Sequence, residues 1–433
     1  MFGLALSSSF FQSNTMKPVR ILNTAVIVAA LGYFVDIYDL LLFNMVRVDS
    51  LRDIGFGGRE LEMGIQLHNA QMTGLMIGGI AWGMLGDKRG RLSVLFGSIF
   101  LYSIANLLNA YVHTFTEYAI LRFIAGVGLA GELGAGITLV SEVLPPAKRG
   151  IGTMIVATIG VSGAVVGGWV AQHYPWRTAY VIGGVLGFSL LLLRIGVSES
   201  GIYQKAVEDS EQSQDASIGK AVIRGSFVSL FTHRDRFARF SWCILSGVPI
   251  WFTIGILVAY APEFAKTFLI TDPITTAKAV MYCYLGFVFG DFGSGLFSQF
   301  IKSRLKAIQV FIVLNAITSV VYLTLLNSSS ADAVYGLAIL LGTTGGYWAV
   351  VITLAAEQFG TNLRATVATA VPNFIRFSVV PMATLFLAIK GSFGLVQSAM
   401  VIGLTASGVA FFATTRLKET FGCDLNFIEK NDE

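Results

Sequence analysis

Charge is scarce in this chain. Asp, Glu, Lys and Arg together make up 13% of it, about half the share of a soluble domain, so a solvated globule is excluded first. Cysteine is rarer still. Cys243, Cys283 and Cys423 show neither a CxxC pair nor metal-ligand spacing, which gives them no assignable chemistry. The four histidines, His68, His113, His173 and His233, fall near the ends of apolar runs or between them, and a metal site is unsupported. There is no nucleotide loop, nucleophile elbow or metal cluster, so neither an enzyme nor a cofactor is expected. The first 15 residues are apolar and serine-rich, with the first positive charge at Lys17. A secretory signal carries its charge first, so this is not one; a frayed tail and a translation start at Met16 rather than Met1 both fit.

What the chain has is apolar length. Hydrophobic residues make up 54% of its 433 positions, and mean hydropathy is +0.70. Twelve runs are long enough to cross a hydrocarbon core of about 30 Å: 21–46, 66–86, 92–112, 115–143, 151–171, 177–197, 240–262, 277–300, 306–326, 333–358, 365–389 and 393–415. Unpaired backbone is costly in lipid, so each should be a helix. If the first 20 residues are cytoplasmic, alternate connections hold 21 Lys and Arg against 7 on the opposite face, with Arg122 and Arg376 inside runs. That bias puts both termini in the cytoplasm. It also accounts for the basic clusters without a nucleic-acid partner.

A repeat divides the chain. Glu142 and Arg149 in SEVLPPAKRG recur 215 positions later as Glu357 and Arg364 in AEQFGTNLRA. The same shift carries Arg89 onto Arg304, Arg91 onto Lys306, Gly79 onto Ser294 and Gly131 onto Gly346. One shift aligning two separate loops argues for duplication. Residues 198–238 form the longest polar segment and have little reason to bury a core. The expected plan is therefore an all-α membrane protein with twelve transmembrane helices in two pseudo-symmetric six-helix halves. A tail (1–20), a first half (21–197), a central cytoplasmic loop (198–238), a second half (239–416) and a final tail (417–433) follow in order.

The stretch GMLGDKRGRLS, Gly83 to Ser93, sits as a tight charged turn between the second and third runs. It resembles the G-x-L-x-D-x-x-G-R loop of the major facilitator superfamily, with Met84-Leu85-Gly86 in the middle. The first run, GYFVDIYDLLLF, is similar to the first helix of the metabolite:proton symporters and of the aromatic-acid or phosphate symporters, where an acidic pair surrounds a tyrosine. YPWRTAYVIGG followed by Val197–Ser200 also resembles the metabolite symporter pattern, with Gly201 where a proline is usual. The resemblance implies two parallel repeats around a central cavity, faced by the first and fourth helices, in a multi-pass protein of the cytoplasmic (inner or plasma) membrane. It implies a monomer that moves a small molecule.

Charges inside spans mark functional candidates. Asp36 and Asp39 stand three apart, on one helix face. At about 1.5 Å per residue, Asp36, Arg122 and Arg376 come out about 22, 21 and 20 Å above the cytoplasmic side. An Asp36/Asp39–Arg122 cluster is expected. A carboxylate that loses its arginine to a substrate anion or a helix movement is driven to protonate by burial, which would couple transport to protons; a static ion pair joining the first and fourth helices is the competing reading. Arg376, with its planar fork, suits an anionic substrate group, and Arg122 could share that task. Tyr33, Tyr38, Asn373, Trp251, Tyr347 and Trp348 could line the cavity, although aromatics in membrane helices are more often packing. Asp87, Arg89, Arg91, Glu142, Arg149, Glu357 and Arg364 collect on one face as a gating network, and Glu132 and Asp291 could extend it.

Proton-coupled uptake of a small organic anion is the expected function. Uptake of a neutral sugar or polyol would use amides and aromatics and no substrate-binding arginine. Efflux by antiport is the other alternative, although GVSGAVVGG in the fifth run lacks the proline of the superfamily's antiporter motif. A receptor on the same fold would need a signalling domain, and none is visible in the central loop or after Leu417.

Overall fold

Apolar runs fold here as helices, and several of them begin at a capping side chain. The computed structural model describes residues 24–89, 91–132, 146–198, 227–326, 330–422 and 429; side chains at 24, 25, 83, 86–89, 91–93, 146–154, 157, 195–198, 361, 362 and 365 are not described. In chain order the main elements are α1 Thr24–Asp53, α2 Glu60–Arg89, α3 Arg91–Asn109, α4 Phe115–Leu129, α5 Pro146–His173, α6 Trp176–Ser198, α7 Arg234–Phe252, α8 Thr276–Phe300 and α9 Arg304–Leu325. They continue with α10 Ala331–Gly345, α11 Trp348–Glu357, α12 Thr361–Phe377, α13 Val379–Phe393 and α14 Leu395–Thr415. Among the described residues eight helical stretches are long and apolar enough to cross a membrane, and Val94–Asn109 is a shorter apolar helix.

Local chemistry explains the ends. Thr114 and Glu117 open α4 with a capping box, and Thr275, Ser303 and Ser330 cap α8, α9 and α10 through their hydroxyls. Each satisfies an N–H that has no partner inside its helix. Pro249 interrupts the bonding of α7, which then continues as a π-helix over Thr253–Val258. Such wide turns are frequent at functional sites. Two runs read as single spans are each two helices: α10 stops at Gly345 and restarts as α11, and α12 ends at Phe377 before α13.

Packing follows glycine. Helix α1 lies on α5, α2 on α4, α3 on α6 and α8 on α10; α5 meets α8, and α2 meets α12 and α13. At Gly74 a Cβ would strike the carbonyl of Phe123 in α4, and at Gly286 one would strike the carbonyl of Ile339 in α10. With no apolar driving force between helices in lipid, such close backbone approach is what holds them.

Two basic residues assigned to connections lie in the interior. Helix α1 runs on through Asp53, so Arg47 is fully buried; Arg194, near the end of α6, is buried as well. Arg47 has acceptors from three segments around it, and Arg194 has a carboxylate.

Candidate functional site

Asp36 is fully buried on α1, and Arg376 is 1% exposed on α12. Their closest atoms, Oδ2 and Nη2, are 3.6 Å apart. This is an ion pair, but it is too long for a hydrogen bond. Neither Asp36 carboxylate oxygen has a hydrogen-bond partner among the described residues, and neither do Nε and Nη1 of Arg376. The guanidinium stands 5.9 Å from the centre of the Trp348 ring. Pro372, one turn earlier in α12, removes a backbone N–H and loosens the helix just before the arginine.

Beside this pair is a small cavity of ≈ 40 Å³, room for a few water molecules. Tyr33, Trp251, Tyr284, Trp348, Asp291 and Arg376 line it together with Ile37, Leu40, Val161, Ile250, Ile254 and Phe287. Tyr33, Ile37 and Leu40 bracket Asp36 on α1. Ile250, Trp251 and Ile254 come from α7 and the π-helix that follows Pro249. The site is thus one buried anion–cation pair in an aromatic and aliphatic box, with a second carboxylate, Asp291, in its wall.

Arg122 is furnished from other residues. It donates to Asn106 Oδ1 at 2.7 Å and to Asn109 Oδ1 at 3.4 Å, and it lies 4.8 Å from the Tyr180 ring centre. Asp39, also fully buried, feels the charge of Arg122, but its carboxylate has no hydrogen-bond partner among the described residues. The expected cluster of two aspartates with Arg122 therefore divides: Asp36 pairs with Arg376, while Asp39 forms no ion pair or hydrogen bond with Arg122 among the described residues. The depth count brought all three charges to one level but carried no information on azimuth, which decides the partner.

The remaining candidates separate in the same way. Tyr33, Trp251 and Asp291 line the cavity. Tyr38 donates to the Ala179 carbonyl at 2.9 Å, Tyr347 to the Ser246 carbonyl at 3.4 Å, and Asn373 to the Ala130 carbonyl at 3.1 Å; none of the three lines it. Glu132 forms a buried bidentate pair with Arg194 of α6, and Gly32 makes room for it, since a Cβ there would strike both side chains. Glu357 meets Arg304 at 3.4 Å and accepts from Thr420 at 2.6 Å, while Arg364 donates to the Phe359 carbonyl at 3.4 Å. Asp87, Arg89, Arg91, Glu142 and Arg149 lie outside the described side chains. Tyr284 escaped the sequence reading, as an aromatic with no distinguishing neighbour.

Arg47 also escaped. Nη2 reaches Glu263 Oε1 at 2.6 Å and the Ala259 carbonyl at 3.3 Å, and Nη1 reaches the Glu60 carbonyl at 2.9 Å. The Tyr260 ring centre is 5.0 Å from the guanidinium. A detectable signal existed: Arg47 and Glu263 are opposite charges 216 positions apart, almost the repeat length, each just past the first apolar run of its repeat. Lys390–Glu62 at 3.2 Å and Asn69–Thr384 at 3.2 Å extend this seam.

The sequence pattern of one large transporter family, described as Major Facilitator Superfamily, matches residues 22–384. The chain belongs to the Major Facilitator Superfamily. It is a multi-pass membrane transporter of small molecules, and not an enzyme. It is similar to the niacin transporter NiaP of Acinetobacter baylyi, 25% identical over 78% of this chain and 80% of that one. It is also similar to the cis,cis-muconate transport protein of the same organism, 25% identical over 90% of this chain and 91% of that one. Among solved structures, a D-xylose-proton symporter superposes with a TM-score of 0.68 and 16% identity, covering 93% of this chain and 99% of that chain. That likeness bears on the superfamily fold alone.

Proposed function

We propose that this transporter imports a small organic carboxylate together with protons. The observation that carries the reading is the Asp36–Arg376 pair, buried at 3.6 Å between α1 and α12 beside an aromatic cavity. Arg376 is under-used: two of its three nitrogens have no acceptor among the described residues, and its fork matches a carboxylate. A substrate carboxylate arriving there competes with Asp36. Once displaced, the Asp36 anion is left buried without its cation, and uptake of a proton relieves that cost. Anion and proton then travel together, and loss of the proton on the other side lets Asp36 recapture Arg376 and expel the substrate. Asp39 with Arg122 makes a second such station in α1 and α4. The names of the relatives, niacin and cis,cis-muconate, favour a planar, conjugated acid.

In this reading residues 21–197 and 239–416 rock about the cavity as two halves joined by 198–238, in the cytoplasmic membrane, with both termini in the cytoplasm. The working unit is a monomer with no nucleic-acid partner. The Arg304–Glu357 pair and its repeat counterparts Arg89 and Glu142, with Asp87, Arg91, Arg149 and Arg364, close the cytoplasmic side; the Arg47 seam closes the other. Glu132, held by Arg194, acts as a fixed brace in the first half.

Thermal unfolding of the detergent-purified protein against organic acids, phosphate, sugars and lipophilic cations tests this. A ligand at 100 times its Kd that binds only the folded state stabilises it by about 2.7 kcal/mol. Stabilisation by acids alone, lost in Arg376→Ala, is the expected result. Stabilisation by sugars or cations instead would make the arginine structural and the substrate class wrong.

A further inference from the structure

Trp348 shares the cavity wall with Arg376 only because α11 begins where it does, and α11 contains nothing that fixes that beginning. The helix restarts after Gly346 and Tyr347, and Tyr347, at its N-cap, gives no side-chain bond to it. The first N–H groups of a helix need acceptors from elsewhere. Asp291, on the neighbouring helix α8, provides one. Its Oδ1 accepts from the Ala349 N–H at 3.2 Å. Two glycines permit this approach: a Cβ on Gly346 would stand 2.6 Å from the Gly290 Cα and 2.7 Å from the Asp291 nitrogen. The break in the helix is thus pressed onto α8 at the residue before Asp291.

The contact made by the Asp291 carboxylate is to backbone, at the foot of a side chain that faces the site. We propose that Asp291 is a positioning residue: by capping α11 from another helix it holds the Trp348 ring beside Arg376, and so sets a preference for flat, conjugated carboxylates over aliphatic ones. This deepens the reading of Arg376 as the carboxylate receptor and rests on it. A carboxylate forked onto a guanidinium lies in the guanidinium plane. A conjugated ring attached to it continues in that plane and presents a π-face to an indole held alongside. A flexible alkyl chain presents none.

The test measures binding of benzoate and hexanoate by calorimetry to wild type, Asp291→Asn, Asp291→Ala and Trp348→Leu. Asparagine keeps an oxygen acceptor for the Ala349 N–H and removes the charge. Loss of one aromatic contact is expected to weaken benzoate about tenfold in Asp291→Ala and Trp348→Leu, with hexanoate unchanged and Asp291→Asn close to wild type for both acids. If Asp291→Asn falls as far as Asp291→Ala, or both acids weaken equally, the charge itself matters and the positioning role is overturned. If Asp291→Ala does not fold, Asp291→Asn and Trp348→Leu carry the same comparison. If wild type binds neither acid, the receptor reading fails, and the positioning role is decided separately by Trp348 fluorescence, taken as the difference from Trp348→Phe in each background. A red shift in Asp291→Ala that is absent in Asp291→Asn supports it; identical emission in all three overturns it.

Discussion

Two fully buried arginines tie α1 to distant parts of the chain, and they are furnished very differently. Arg47 has a carboxylate at 2.6 Å, two backbone carbonyls and an aromatic face. Arg376 has one carboxylate at 3.6 Å, and two of its nitrogens have no acceptor among the described residues. Burying a guanidinium costs several kcal/mol unless it is paired and hydrogen-bonded. Arg47 comes nearer to that standard, since two of its three nitrogens are hydrogen-bonded while Nε has no partner among the described residues. Arg376 is held further below it, and in the proposed reading an incoming anion finds donors to use. In that reading the looser pair, Arg376 with Asp36, is the working centre, and the better-bonded Arg47 belongs to the seam.

The comparison breaks most visibly at the seam. Arg47→Ala leaves Glu263 and two carbonyls without their donor and should lower unfolding stability in detergent by about 3–5 kcal/mol. Arg376→Ala should cost less, because Asp36 is free to take a proton. Ligand binding should reverse the ranking. Hydrogen bonds to charged groups contribute about 1.5–3 kcal/mol, so Arg376→Ala should weaken a bound organic acid by about 100-fold in calorimetry. Glu263→Gln, which retains an acceptor at the seam, should leave that affinity within about twofold.

Smaller changes sharpen the contrast. Asn106→Leu removes the 2.7 Å acceptor of Arg122 and should destabilise by about 1–3 kcal/mol through an unpaired buried donor. Lys390→Ala removes a pair whose glutamate side chain is about half exposed. Its effect on stability should stay below about 1 kcal/mol.

Much of this was legible in the sequence, for reasons that also explain what was not. Apolar length and the cost of unpaired backbone in lipid were enough for an all-helical membrane protein. Charge at span depth was enough to single out Asp36, Asp39, Arg122 and Arg376. Which aspartate meets which arginine depends on rotation about helix axes, and counting residues along an axis contains none of it. The repeat also relates residues across the cavity. Trp251 stands 215 positions after Asp36 and Val161 stands 215 before Arg376, and both line the cavity. Arg47 was misplaced because the apolar run stops at residue 46 while the helix does not. The contact made by Asp291 was unreadable, since its partner is a backbone N–H beside a helix break two helices later.

The central claim is that Asp36 exchanges its arginine for a proton when substrate binds. Purified protein in liposomes, loaded by a substrate stabilising it in the thermal screen, separates coupling from passage. Uptake driven by an acidic exterior is compared with counterflow at equal pH, for wild type and Asp36→Asn. The account predicts that Asp36→Asn loses acid-driven accumulation and keeps counterflow. Accumulation equal to wild type in Asp36→Asn would contradict it and leave the Asp36–Arg376 pair as a static brace.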